Sequence, residues 1–120
     1  MAQPTPYFII KSDNTKVSEA VTNLYFDLSL APASFWSQVK SDGGDIRVYR
    51  VDTEAEVARE INAFDKVNEK GSLFFASGGL STSADTEYAV HFGNEALEEP
   101  ASNAANGRES VWDENYQKQV

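Results

Sequence analysis

Short stretches of alternating apolar and polar residues run along the first three quarters of the chain. In the longest, residues 21–30, Leu24, Phe26 and Leu28 alternate with more polar neighbours. Since successive side chains of a strand point to opposite faces, this period predicts a half-buried β-strand. Similar apolar or alternating runs predict further strands at 7–10, 46–51, 72–76 and 87–92.

Residues 34–39 show helical spacing instead. On a single helical turn Phe35, Trp36 and Val39 would share one face and pack on the core. Ser34 is the expected N-cap, because a serine hydroxyl can accept from the free N–H groups of a first turn.

Residues 53–64 are ambiguous. Val57, Ile61 and Phe64 lie at helical spacing and follow a capping pattern typical of a helix start. Val57, Arg59 and Ile61 also alternate as they would in a strand. The local pattern alone favours a helix in this segment.

The succession of short strands between turn residues predicts an all-β fold. We expect residues 1–94 to form a two-sheet antiparallel β-sandwich, jelly-roll-like, with at most one short helix. Residues 95–120 show no period, so an irregular C-terminal arm or linker is expected there. Its sizeable apolar side chains should dock on the sandwich or on a neighbouring subunit: Val111, Trp112 and Tyr116.

Length, composition and charge narrow the class of protein. A chain of 120 residues with 41% hydrophobic residues is suited to one domain with a real core. It has no cysteine, which excludes a disulfide scaffold, a thiol nucleophile and a thiolate zinc site. The formal net charge of -9 makes nucleic acid and anionic membranes poor partners.

His91 is the only histidine of the chain. The alternation of its strand places it on the face opposite Tyr88, Val90 and Phe92, which predicts a surface histidine rather than a base or a ligand. No second histidine is available for zinc, and no serine lies in a Gly-x-Ser-x-Gly motif. We therefore expect no enzyme, no cofactor, and no catalytic, cofactor-binding or metal-binding residues.

Asp42 and Asp45 flank Gly43 and Gly44. Short acidic loops can hold calcium, but two carboxylates are too few for a site by themselves. The interpretation we favour is a tight turn, in which Asp42 accepts from turn amides and at least one glycine has a positive φ.

Two tryptophans and an acidic cluster are further candidates for binding. Trp36 and Trp112 could stack on a sugar, although Trp36 is expected in the core. The cluster Glu95, Glu98 and Glu99 is interpreted as a solvated loop. No binding residue is assigned from these patterns.

The order of several short motifs resembles a domain family of unknown function, DUF2341, found in phage and prokaryotic multidomain proteins. The motifs lie at 35–36, 41–47, 60–61, 64–65, 85–88, 92–94 and 111–113. The resemblance implies a compact β-sandwich and a strand, rather than a helix, at 56–64. It carries over no catalytic residue, and in the family a concanavalin/LamG-like lectin domain often follows the segment similar to 111–113.

We expect a non-enzymatic structural module of a phage virion: a capsid decoration protein, or the anchoring domain of a head or tail fibre. Its partners would be other virion proteins or further copies of itself, with a host-surface glycan as another candidate. Because residues 1–5 lack the features of a signal peptide, synthesis in the host cytoplasm is expected. The alternative is a carbohydrate-binding or adhesive domain of a bacterial surface protein, located at the cell surface.

Overall fold

The computed structural model describes residues 6–12, 23–77 and 85–111. Seven strands are present in these ranges: β1 (Tyr7–Lys11), β2 (Asn23–Asp27), β3 (Arg47–Arg50), β4 (Glu56–Val57), β5 (Arg59–Asp65), β6 (Lys70–Ala76) and β7 (Glu87–His91). They are joined by one short helix, α1 (Ala33–Gln38), and by 3₁₀ turns at Leu28–Leu30 and Arg108–Ser110. The predicted all-β class, with at most one short helix, is confirmed for the described residues.

The strands form two antiparallel sheets. The four-stranded sheet has the order β1-β7-β3-β4, and the three-stranded sheet has the order β2-β6-β5. In the first sheet Phe8 and Val48 both pair with Val90. In the second, Phe26 and Ile61 both pair with Leu73. Because opposed residues share a face of a sheet, each row contributes a line of apolar side chains to the core.

The core lies between the two sheets and is closed at one end by α1. Phe35 is fully buried, and its ring meets those of Phe8 and Phe92 edge-on at 5.7 and 5.1 Å. The ring of Trp36 stacks on that of Phe64 at 5.6 Å. The predicted docking of this segment is confirmed, and Val39 is buried as well.

The predicted N-cap of α1 is wrong. The cap position is Pro32, which makes no side-chain hydrogen bond, and Ser34 lies inside the first turn. The ring of proline fixes its φ near a value that suits the residue before a helix. Pro32 can therefore precede the first turn although it has no hydroxyl to accept a hydrogen bond. The burial of Phe35 and Trp36, rather than capping, therefore stabilises this six-residue helix.

The strand predicted at 21–30 is shorter than expected. β2 ends at Asp27, whose Oδ1 accepts from the backbone N–H of Ser29 at 3.0 Å and from its hydroxyl at 2.8 Å. These bonds turn the chain into the 3₁₀ turn Leu28–Leu30 and hold the pKa of the Asp27 carboxyl below its ordinary value. Residues 21 and 22 lie outside the described part of the chain.

The helix that the local pattern favours at 53–64 is wrong, and the strand implied by the resemblance is present. Val57 belongs to β4 in one sheet and Ile61 to β5 in the other. A register shift follows Asn62, where Ala63 has a φ of 54°. This bulge resets the alternation, so that Phe64 packs on the core like Ile61. The helical spacing of Val57, Ile61 and Phe64 therefore has another cause: the chain crosses from one sheet to the other after Val57, and a bulge follows Asn62.

The segment 94–107 contains no strand or α-helix, as predicted. It nevertheless contacts the sandwich: the backbone N–H of Arg59 donates to the carbonyl of Asn106 at 3.3 Å, and Val111 is buried. Trp112 and Tyr116, the other expected docking points, lie outside the described residues. The division into domain and arm, and any reach toward a neighbouring subunit, stay predictions.

Truncation of Phe35 to alanine should lower the free energy of unfolding by about 3–5 kcal/mol, since it removes a fully buried ring and leaves a cavity. Urea denaturation at neutral pH would measure the loss. The control is Leu30→Ala, whose side chain is 72% exposed and should change stability by less than about 0.5 kcal/mol. Equal unfolding midpoints for Phe35→Ala and the parent chain would show that α1 does not close the core.

Candidate functional site

The turn at 41–45 has the structure that its sequence predicts. The Oδ1 atom of Asp42 accepts from the N–H of Gly44 at 2.8 Å, and Gly43 has a φ of 73°. A Cβ on Gly43 would also lie 3.2 Å from the ring of Phe64. Within the described ranges, no group of three or more His, Cys, Asp or Glu side chains is placed to hold a metal ion.

Asp45 has a different role from Asp42. Its carboxylate is buried and accepts from the backbone N–H of Lys40 at 3.1 Å and from that of Gly93 at 2.6 Å. One side chain therefore ties the loop after α1 to the end of β7, two segments far apart in sequence.

Arg59 is the largest fully buried side chain in the described part of the chain. It pairs with Phe75 across β5 and β6, which directs its side chain toward the interior. Its Nε donates to the carbonyl of Ile46 at 2.9 Å, and its Nη2 to those of Gly43 and Gly44, each at 3.3 Å. Its Nη1 donates to Oε2 of Glu99 at 2.7 Å.

Arg47 lies beside Arg59 and binds the same loop. Its Nη1 donates to the carbonyls of Gly44 at 2.7 Å and Ile46 at 3.0 Å, and its Nη2 donates to the carbonyl of Glu98 at 2.6 Å. Burial lowers the pKa of the Arg47 guanidinium, and the neighbouring Arg59 cation lowers it further. The carboxylate of Glu56, 3.7 Å from Nε of Arg47, acts in the opposite direction.

These four charged residues form what we call the arginine cluster: Arg47, Arg59, Glu56 and Glu99. The sequence analysis does not identify it: Arg47 enters only as the last residue of the 41–47 motif, and Arg59 only as one position of an alternating segment. The arginine at 59 on the apolar face of an alternating segment is the one signal that could have revealed it. Since most of its donors bind main-chain carbonyls, the cluster is suited to holding three segments together rather than to binding a substrate.

The interpretation of the acidic cluster as a solvated loop agrees with the exposure of all three glutamates, but two of them also form ion pairs. Glu99 forms an ion pair with the fully buried Arg59, and Glu98 lies with Oε2 3.4 Å from Nζ of Lys40. Glu95 is exposed, as expected. The loop crosses the sheet edge where two buried guanidinium groups need acceptors, which the Glu98 carbonyl and the Glu99 carboxylate supply.

The prediction that His91 is a surface histidine is wrong. Its side chain does point to the outer face of the four-stranded sheet, but only 3% of the residue is exposed. The ring of Tyr7 stacks on it at 5.0 Å, and that of Tyr49 meets it edge-on at 5.3 Å. The alternation of β7 correctly predicts the face on which His91 lies, but Tyr7 of β1 and Tyr49 of β3 cover its ring.

The same face carries an apolar surface that we call the outer patch: the exposed side chains of Tyr7, Ile9 and Val51, with the half-buried Tyr49 and the buried Ala89 between them. Tyr7, Ile9 and Val51 are 55%, 45% and 42% exposed. With Arg50 and Glu54, the patch lines a shallow, mostly apolar cleft of about 150 Å³. Burial raises the pKa of the Tyr49 hydroxyl above its ordinary value.

The two tryptophans were both candidates for stacking on a sugar. Trp36 is 4% exposed and belongs to the core, so it offers no ring to a sugar. Trp112 lies outside the described residues. The exposed aromatic ring of the outer patch is that of Tyr7, which the sequence analysis does not single out.

Comparison of the chain with models of known families, with curated proteins and with solved structures found no match. The resemblance to DUF2341 therefore stays a prediction. Within the described residues, no helix has the length and apolar character that crossing a membrane requires.

Replacement of Arg59 by methionine should lower the free energy of unfolding by about 3–5 kcal/mol, because several carbonyls and one carboxylate lose a buried partner. The matched control is Arg108→Met, since Arg108 is exposed and forms no ion pair with the described residues. Urea denaturation of both variants would measure the difference. Equal stabilities would contradict a structural role for the arginine cluster.

Proposed function

We propose that this domain is a non-enzymatic structural module of a phage particle, either a capsid decoration protein or the anchoring domain of a head or tail fibre. It attaches to a neighbouring virion protein, or to another copy of itself, through the outer patch. The observation that carries the proposal is the contiguous exposure of Tyr7, Ile9 and Val51 on one sheet face. An exposed apolar patch of this kind usually marks an interaction surface.

The rigidity of the outer patch supports this function. Four of its residues lie on β1, β7 and β3, and β7 is hydrogen-bonded in register to both of the others. Val51 directly follows β3, and its backbone N–H donates to the carbonyl of Glu87 at 3.0 Å. Tyr7 and Tyr49 are further held by their contacts with the buried His91 ring. A surface that is already ordered loses little conformational entropy on binding, so a small area can contribute useful affinity.

The position of the charges supports a protein partner. Glu87 and Lys11 pair across β7 and β1 at one side of the patch, and Glu54 and Glu56 flank it on another. An apolar centre with a polar rim is the usual composition of a protein–protein interface. The placement on a virion rests on the resemblance to DUF2341 and is the part of the proposal that an experiment must test first.

The Ile9→Glu variant should fail to rebind particles from which the native chain has been stripped, because a buried carboxylate at the patch centre would have no partner. The particles are purified by density gradient from the strain that encodes the chain, and an antibody detects the bound protein. The matched control is Val67→Glu, since Val67 is 90% exposed and lies in the turn between β5 and β6. Absence of the chain from the particles, or equal rebinding of the two variants, would refute the proposal.

A second candidate function is the binding of a host or bacterial surface glycan. The observation that favours it is the Tyr7 ring, which is 55% exposed and fixed by stacking on His91. A fixed aromatic ring beside a shallow cleft is a suitable platform for the apolar face of a sugar.

If the domain binds a glycan through this ring, the parent chain should give a reproducible signal on a glycan array that Tyr7→Ala loses. The matched control is Tyr25→Ala, because Tyr25 is 56% exposed on the other sheet, against the ring of Phe74. A signal that both variants retain would place the sugar elsewhere.

A further inference from the structure

A polar cleft of about 520 Å³ opens between the end of α1, the loop that follows it and the start of the C-terminal segment. Its volume is within the range of small-molecule sites. The side chains that matter for its chemistry are those of Ser37, Gln38, Ser41, Lys66 and Glu95. It shares no lining residue with the outer patch.

Lys66 supplies the cleft with a positive charge that forms no ion pair with the described residues. Its Nζ donates to the carbonyl of Val39 at 2.6 Å, which fixes the position of the ammonium group. No carboxylate of the described residues forms an ion pair with it, in contrast to Lys40, which lies 3.4 Å from Glu98. An ammonium group has three donors, so two of them remain available to a ligand.

Neutral polar groups line the same cleft. The side chains of Gln38 and Ser41 make no hydrogen bond to the described residues, and the Ser37 hydroxyl donates only to the carbonyl of Ser34, at 3.0 Å. An amide and two hydroxyls can both donate to and accept from hydroxyl groups of a ligand. This composition suits a hydroxylated molecule.

The walls of the cleft are fixed before any ligand arrives. The buried carboxylate of Asp45 holds the backbone of Lys40 on one wall and that of Gly93 on the other. The Lys40 ammonium is held in turn by the carbonyl of Leu97 at 3.0 Å. Fixed walls reduce the entropy that a ligand must overcome on binding.

We propose that this cleft binds the carboxylate group of a small hydroxylated ligand, such as an acidic sugar, with Lys66 as the ion-pair partner of the carboxylate. Gln38, Ser37 and Ser41 contact the ligand's hydroxyl groups. Glu95, at the rim, repels the carboxylate and directs it toward Lys66. The net charge of the chain opposes distant anions, so recognition depends on this local ammonium group.

Isothermal titration of the full chain with D-glucuronate, at low salt, tests the proposal. We expect glucuronate to bind and D-glucose, which lacks the carboxylate, not to bind. Added sodium chloride should weaken the binding, because the ion pair is partly exposed. Absence of glucuronate binding, or equal affinities for the two sugars, would overturn the proposal.

Three variants locate the site. Lys66→Gln should lower the affinity for glucuronate about tenfold, since it removes a charge-assisted hydrogen bond. Lys70→Gln removes the same charge outside the cleft and should leave the affinity unchanged. Glu95→Gln, a change of an exposed side chain, should raise the affinity. An unchanged affinity in either Lys66→Gln or Glu95→Gln would overturn the assignment.

A retained circular dichroism spectrum and unfolding midpoint in Lys66→Gln would show that lost affinity does not reflect lost structure. The outcome of the glucuronate titration is independent of the proposed virion attachment, because Ile9, the residue changed in the attachment test, does not line the cleft.

Discussion

The guanidinium group of Arg59 is the contact on which the arrangement of the described chain depends. A buried cation is tolerated only when its hydrogen bonds and charge are satisfied, and here the loop at 43–46 and Glu99 do so. Those partners come from outside the strand that carries the arginine. The same interaction therefore fixes the tight glycine turn, the edge of β5 and the path of the C-terminal segment, which otherwise has few apolar side chains to hold it.

The two faces of the four-stranded sheet serve different purposes. The inner face packs apolar rows on the other sheet, whereas the outer face buries His91 under two tyrosines and leaves Tyr7 and Ile9 exposed. The two tyrosines bury the His91 ring on the side of the sheet that faces away from the core. The proposed attachment of a partner accounts for this arrangement, because the patch would then be an interface rather than a free surface.

Alternation along the chain was sufficient to predict the all-β class and most strands, and helical spacing at 34–39 predicted the burial of Phe35 and Trp36. It could not show that Val57 and Ile61 belong to different sheets, or that a bulge at Ala63 brings Phe64 inward, because both depend on pairing with distant strands. His91 was placed on the correct face, but its burial depends on Tyr7 and Tyr49. Neither the outer patch nor the Lys66 cleft was predicted, since each joins residues that are far apart in sequence.

The pairing of Arg59 with Glu99 also has a consequence for how the chain folds during synthesis. The two residues are 40 positions apart, and Asp45 and Gly93 are 48 apart. A ribosome must therefore release nearly all of the described chain before Arg59 meets its carboxylate or Asp45 meets Gly93. Until then Arg59 has only the carbonyl acceptors of the loop at 43–46 and no carboxylate to neutralise its charge. The last step of folding therefore awaits the C-terminal segment, and a chain truncated before Glu99 would lack this ion pair.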